Sequence, residues 1–321
     1  MWWWWSEEMG KRGKCGGGLA ETPQRKRREM IKMADDQHGV SFHQFCLDNA
    51  QTFWQISVNG HPVALSNVPL LILRKILNVV KSCHDNDMSS GNLLDNILVV
   101  NNEDVVLAGG PVPLDLVNPR LTMHNDLVAV RNLVLRAVYI TTPLFLPDAV
   151  RSFNNLFALL TPFYQLGFDL RRIEFYLFNS PLFLDVMGKY LLFRKILNLA
   201  EYQGGLLFFG TVDVTGIGNW LPYVHNQLLT LVRDHRGGVN LLRYQTPRGS
   251  ILFFRNALGH LNGPLFISDA HAMTILEDEL PWVMPRLFSA LVRGMDITPT
   301  CIQICGMTLE AYLRAPISVF A

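Results

Sequence analysis

The chain has 321 residues, 49% of them hydrophobic, with 28 Lys plus Arg against 27 Asp plus Glu and a formal net charge of +1. That length accommodates two ordinary domains or one large one. The charge balance excludes a global field for polyanions, so any nucleic-acid contact must come from a local patch.

Residues 1–40 read as a disordered leader. The opening Met1-Trp2-Trp3-Trp4-Trp5 lacks the basic start, apolar core and small-residue cleavage site of a signal peptide. The run Arg25-Lys26-Arg27-Arg28 fits a nuclear address or an anion patch, but such runs are more often simply solvated. Ordered structure is expected from Phe42 onward. Pro69 opens a helix in which Leu70, Leu73, Ile76, Leu77 and Val80 recur at helical spacing. A polar loop follows from His84 to Asn92. Asn96-Ile97-Leu98-Val99-Val100 and Val105-Val106-Leu107 flank the polar stretch Asn101-Asn102-Glu103-Asp104, the pattern of a hairpin. Residues 126–140 predict a buried helix. The longest apolar stretch, Leu127 to Val150, is interrupted by Arg131, Arg136, Pro143 and Pro147, so no membrane span is expected. Residues 150–320 carry helical patterns with short connections and no internal repeat.

The five cysteines, Cys15, Cys46, Cys83, Cys301 and Cys305, form no disulfide framework and point to a reducing compartment. Cys301 and Cys305 share a helix face, but no second pair completes a zinc site. They are read as small buried apolar residues. The expectation is a soluble cytoplasmic or nuclear protein, mainly α with a few short strands.

The order helix, polar loop, Asn-Ile-Leu strand, hairpin and buried helix resembles the catalytic half of a protein kinase. In that family the loop reads His-Arg-Asp, four residues, then Asn. Here Ser89-Ser90-Gly91-Asn92-Leu93-Leu94-Asp95-Asn96 occupies that register. Asn96 matches the family's metal-binding Asn, while Gly91 stands at the catalytic Asp. The following strand ends Leu107-Ala108-Gly109-Gly110 where the family has Asp-Phe-Gly, so Gly109 replaces the second metal ligand. Asp126 falls at the structural Asp that starts the family's central helix. No Gly-rich loop with a strand Lys precedes this region. Phosphoryl transfer is positioning plus charge neutralisation by metal, so the resemblance implies a degenerate kinase site that neither binds ATP with magnesium nor phosphorylates. The match covers roughly residues 60–190.

Downstream, Ile251-Leu252-Phe253-Phe254-Arg255-Asn256-Ala257-Leu258-Gly259-His260-Leu261 resembles the signature helix of the kinase-extension nuclease (KEN) domain of the ribonuclease L-like family, within the wider HEPN-like helical nucleases. The flanks agree with that family. They are Asn179-Ser180-Pro181-Leu182-Phe183, the run Tyr190 to Tyr202, Trp220 with the apolar residues after it, and Glu279 to Leu287. Family members cut RNA without metal through attack of the ribose 2′-hydroxyl. That chemistry needs a proton acceptor and donor and donors to the charged phosphorane. The resemblance assigns His260 as general acid or base, Asn256 and Arg255 as phosphate-facing partners, Tyr244 as the upstream catalytic Tyr and Arg248 as a second phosphate contact. Residues four apart on a helix lie about 40° apart, so Asn256 and His260 share a face, whereas Arg255 lies about 140° from His260. Ile251, Phe254, Leu258 and Leu261 are the expected core positions. The sequence departs from the family at Ala257, where a Lys is usual, at Leu261, where a Tyr is usual, and in a shorter Tyr244-to-Arg255 spacing. Outside the family, Arg255 and Asn256 fix the helix locally and His260 is a partly buried histidine. His225 and His235 fit no motif.

Three regions are thus expected: the leader at 1–40, a degenerate kinase C-lobe-like region at 41–178, and a KEN-like helical domain at 179–321. The implied function is a metal-independent endoribonuclease on single-stranded RNA, with no cofactor, that self-associates as a homodimer through the kinase-like half. The rival is a non-enzymatic scaffold in which both halves survive as interaction surfaces.

Overall fold

The computed structural model describes residues 39–57, 60–141, 146–165, 169–201, 224, 228–229, 244, 247–259, 269–296 and 300–315. The expected leader up to residue 38, with its basic cluster, lies outside the described residues, as do Trp220, His225, His235, His260 and Leu261. The fold is mainly helical with a few short antiparallel strands. Two compact units divide it.

The first unit holds the described residues of Met1–Asp48 and Leu71–Ala137. A three-stranded antiparallel sheet has the order β1 (Val40–Ser41), β5 (Ile97–Val100), β6 (Asp104–Leu107). The expected hairpin is β5–β6, with Ile97 opposite Leu107 and Val100 opposite Asp104. Its turn closes by Glu103 N–H donating to the Val100 carbonyl at 3.0 Å. Asn101 and Asn102 both sit at positive φ, 53° and 57°, as a type I′ turn requires and as Asn tolerates. Helix α1 (Phe42–Asp48) packs on β1 and β5 through Phe42, Phe45 and Cys46. Helix α2 (Asn67–Asp85) belongs to this unit from Leu71 and buries Ile72, Leu73, Ile76, Leu77 and Val80. It starts two residues before Pro69, which sits in its first turn, where the missing N–H has no helical partner to lose.

The stretch expected as one loop after His84 is more structured than its composition suggests. The helix runs through Asp85, and β4 (Met88–Ser89) pairs antiparallel with β7 (Val112–Pro113). One turn of helix, α3 (Leu93–Asn96), leads into β5. Helix α4 (Pro119–Thr141) contains the expected 126–140 segment and buries Asp126, Leu127, Val130, Leu133, Val134 and Ala137.

The second unit holds the described residues of Asn49–Leu70 and Val138–Ala321. Strands β2 (Trp54–Ile56) and β3 (Pro62–Leu65) form an antiparallel pair. The helices are α5 (Asp148–Gln165), α6 (Leu170–Phe178), α7 (Val186–Glu201), α8 (Pro247–Gly259), α9 (Asp269–Glu279), α10 (Val283–Leu291), α11 (Thr300–Cys305) and α12 (Leu309–Arg314). Asp169 caps α6 by accepting the Arg171 N–H at 2.9 Å, which satisfies one of the donors a helix start leaves open. Asn179, where the KEN-like region is expected to begin, closes α6, and Pro181–Phe183 forms a 3-10 turn. Helix α7 packs on α9, α9 on α8, and α10 on α5. Lys189 of α7 and Glu277 of α9 form a buried ion pair, so neither charge is left uncompensated away from water. A π-helical turn, Val292–Asp296, extends α10 and receives both α11 and α12. Among the described residues no helix is long and apolar enough to cross a membrane.

Candidate functional site

Two groups of residues carry the sequence-level expectations, one in each unit. In the first unit the organising side chain is Asp126. Its Oδ2 accepts the backbone N–H of Ser90 at 2.9 Å and the Nε2–H of His84 at 3.0 Å, and its Oδ1 accepts the Ser89 hydroxyl at 3.0 Å. All four residues are buried. A carboxylate that accepts three donors fixes the chain that donates to it. The loop from Ser89 is thereby held against α4. Ser89 Oγ also accepts the Gly91 N–H at 3.0 Å, which sets the turn that follows.

That turn needs glycine. Gly91 has φ +65°, a left-handed conformation that side chains rarely adopt, and a Cβ there would stand 3.1 Å from Val112 Cγ2. The same Cβ would lie 3.9 Å from Asn96 Nδ2. A Cβ on Gly109 would lie 3.5 Å from that same Nδ2 and 3.9 Å from Asn96 Oδ1. Gly91, Asn96 and Gly109 therefore converge, with the amide of Asn96 between two residues that bear no side chain. The Ala108 N–H donates to the Asn96 carbonyl at 2.8 Å, which ties the end of β6 to the start of β5. Among the described residues no group of three His, Cys, Asp or Glu side chains is placed to hold a metal ion.

In the second unit the signature segment forms α8, which carries Arg248, Arg255 and Asn256. Tyr244 stands before it and is buried. Asn256, 5% exposed, donates from Nδ2 to the Tyr244 hydroxyl at 3.0 Å. Its Oδ1 is buried without a hydrogen bond. The Tyr244 ring meets Phe253 edge-on at 5.3 Å, Phe253 meets Phe254 at 5.7 Å, and Phe254 meets Phe193 of α7 at 6.2 Å. Of the expected core positions, Ile251 and Phe254 are buried. Arg255 is half-buried. Tyr244 and Asn256 are thus brought together, but inside an aromatic cluster. His260, the expected acid or base, lies outside the described residues.

Sequence reasoning gave no role to Lys195, which is 2% exposed. Its ammonium donates to the Leu313 carbonyl and, at 2.6 Å, to the Ala315 carbonyl at the end of α12, while the Tyr312 hydroxyl donates to the Lys195 carbonyl at 2.8 Å. Burial pushes this lysine down from its ordinary value to about 8. Its position among Phe193, Ile196 and Leu197 of α7, all buried, was the available signal.

Set against known proteins, the chain matches no family model, no curated protein and no solved structure.

Proposed function

We propose that the chain is a catalytically silent kinase-like module joined to a KEN-like helical region, and that it works as an interaction scaffold. The observation that carries this reading is the convergence of Gly91 and Gly109 on Asn96. In a kinase those three positions supply the base and the metal ligands; here two of the three have no side chain, and magnesium would meet a single neutral amide. The Asp126 contacts with Ser89 and Ser90 support the same resemblance, since a loop of that register needs an anchor after its chemistry is gone. Asn256 argues likewise: an amide committed to Tyr244 in the core is withdrawn from RNA.

One observation favours a second reading, a metal-independent RNA endonuclease that uses His260, Asn256, Arg255 and Tyr244 with Arg248 on a phosphate. Tyr244 and Asn256, assigned separately to that chemistry, are hydrogen-bonded to each other. Incubation of the purified protein with single-stranded RNA in EDTA separates the two. A scaffold leaves RNA as intact as His260→Ala does. A nuclease leaves 2′,3′-cyclic phosphate ends that His260→Ala abolishes. If that activity needs a weak homodimer through the kinase-like half, it rises with protein concentration and then levels off.

A further inference from the structure

We propose that Cys301 and Cys305 form a reversible intramolecular disulfide, a thiol-oxidation site in the second unit. Their Sγ atoms lie 3.6 Å apart on α11. In a regular helix residues four apart are separated by about 6 Å along the axis, inside the range that disulfides span. The bond therefore needs the sulfurs to approach by side-chain rotation and a small local adjustment of the helix. Helix α11 is six residues long and stops at Gly306, which has φ +76°. A helix this short, ending at a glycine, adapts to the local distortion such a bond imposes.

The two thiols differ in the way the chemistry needs. Cys305 is half-buried and meets solvent; Cys301 is fully buried. Cys305 Sγ also lies 3.2 Å from the Cys301 carbonyl, which orients it along the helix toward its partner residue. The other described cysteines, Cys46 and Cys83, are buried, and burial pushes both thiols up to about 12, with the Asp126 carboxylate adding to the effect at Cys83. A thiol that resists ionisation is a poor nucleophile, so first attack is expected not at these two but at Cys305, the described thiol that solvent reaches.

The oxidant is a hydroperoxide. The Cys305 thiolate attacks the distal oxygen, the O–O bond breaks, and the leaving oxygen takes a proton and departs as water or alcohol. Cys305 is left as a sulfenic acid. Cys301 sulfur attacks the Cys305 sulfur, the S–S bond forms, the S–O bond breaks, and the departing hydroxide combines with the Cys301 proton as water. Each sulfur gives up one electron and the peroxide accepts both. A dithiol reductant reverses the step by exchange. Because α11 and α12 both seat on the Val292–Asp296 turn, oxidation distorts the support that α12 shares.

The full chain is treated with stoichiometric hydrogen peroxide, quenched, unfolded, alkylated and cleaved with trypsin. Both thiols fall on the same expected peptide, between Arg293 and Arg314. The expected result is loss of two hydrogens from that peptide and loss of both its alkylation sites, restored by dithiothreitol, with Cys46 and Cys83 fully alkylated. Cys305→Ser, at the half-buried position, abolishes the mass change. Conversion of Cys305 to a sulfinic acid with Cys301 still alkylated overturns the proposal. So does a disulfide to any other cysteine, or preferential oxidation of Cys46 or Cys83.

Discussion

Asp126 Oδ2 receives the backbone N–H of Ser90 at 2.9 Å across 36 residues of sequence. This carboxylate also holds His84 and Ser89, so Asp126→Asn turns one acceptor oxygen into a donor facing other donors. We expect a loss of about 3 kcal/mol in urea unfolding, as for leaving a buried donor without its acceptor. Asp104→Asn, which removes an exposed partner of Lys75, should cost under about 0.5 kcal/mol. Equal effects of the two substitutions would show that Asp126 is no hub.

The two glycines that face Asn96 should respond differently. Gly91→Ala forces a side chain into left-handed backbone against Val112 and should cost about 1–2 kcal/mol. Gly109→Ala meets only ordinary contact with Asn96 and should lie within about 1 kcal/mol of the parent, on the stabilising side if the unfolded-chain effect dominates. Thermal unfolding of the two variants checks the order.

Magnesium with ATP should leave the melting temperature unchanged at millimolar nucleotide. Binding to the folded state alone would raise it through linkage, and a rise of several degrees would overturn the silent-kinase reading.

Removal of the hydroxyl in Tyr244→Phe strands the Asn256 amide, whose oxygen already lacks a donor. The expected destabilisation is about 1–3 kcal/mol. Under the scaffold reading, RNA is uncut by parent and variant alike.

Lys195 predicts a pH dependence. Its folded value of about 8 lies below the ordinary 10.5, so between these values the unfolded chain binds the extra proton. Stability from this group therefore rises as pH increases from about 8 toward 10.5, by up to about 1.4 kcal/mol per unit. Below pH 8 both states are protonated and the contribution is flat. The difference in unfolding free energy between parent and Lys195→Met isolates this slope from other titrations. A difference independent of pH across that window would refute it.

The β5–β6 hairpin was legible because two short apolar runs, Ile97–Val100 and Val105–Leu107, flank a polar stretch that begins with two consecutive asparagines. The long helices were legible from their spacing. The pairings of β1 with β5 and of β4 with β7 were not, since strands of two residues carry no period. Asp126 was expected at the start of a buried helix, but the helix begins at Pro119 and Asp126 lies about two turns inside it, because Asn118 and the polar residues after it carry no apolar period to mark the earlier start. Asn256 was expected beside His260. It lies three residues after Phe253, on a face the aromatic cluster covers, and that spacing was readable. Lys189 and Lys195 look like surface residues in sequence; only the arrival of Glu277 and of the α12 carbonyls satisfies them inside.

The first sheet joins neighbours of unequal separation along the chain. Val100 meets Asp104 across a three-residue turn, whereas Val40 meets Val99 across nearly sixty residues. Closing the short loop takes microseconds; bringing in the distant strand must first overcome a larger entropy of ring closure. During refolding the β5–β6 amides should gain protection from hydrogen exchange first, and β1 should add to the edge last. The order of assembly is thus written into the order of strands.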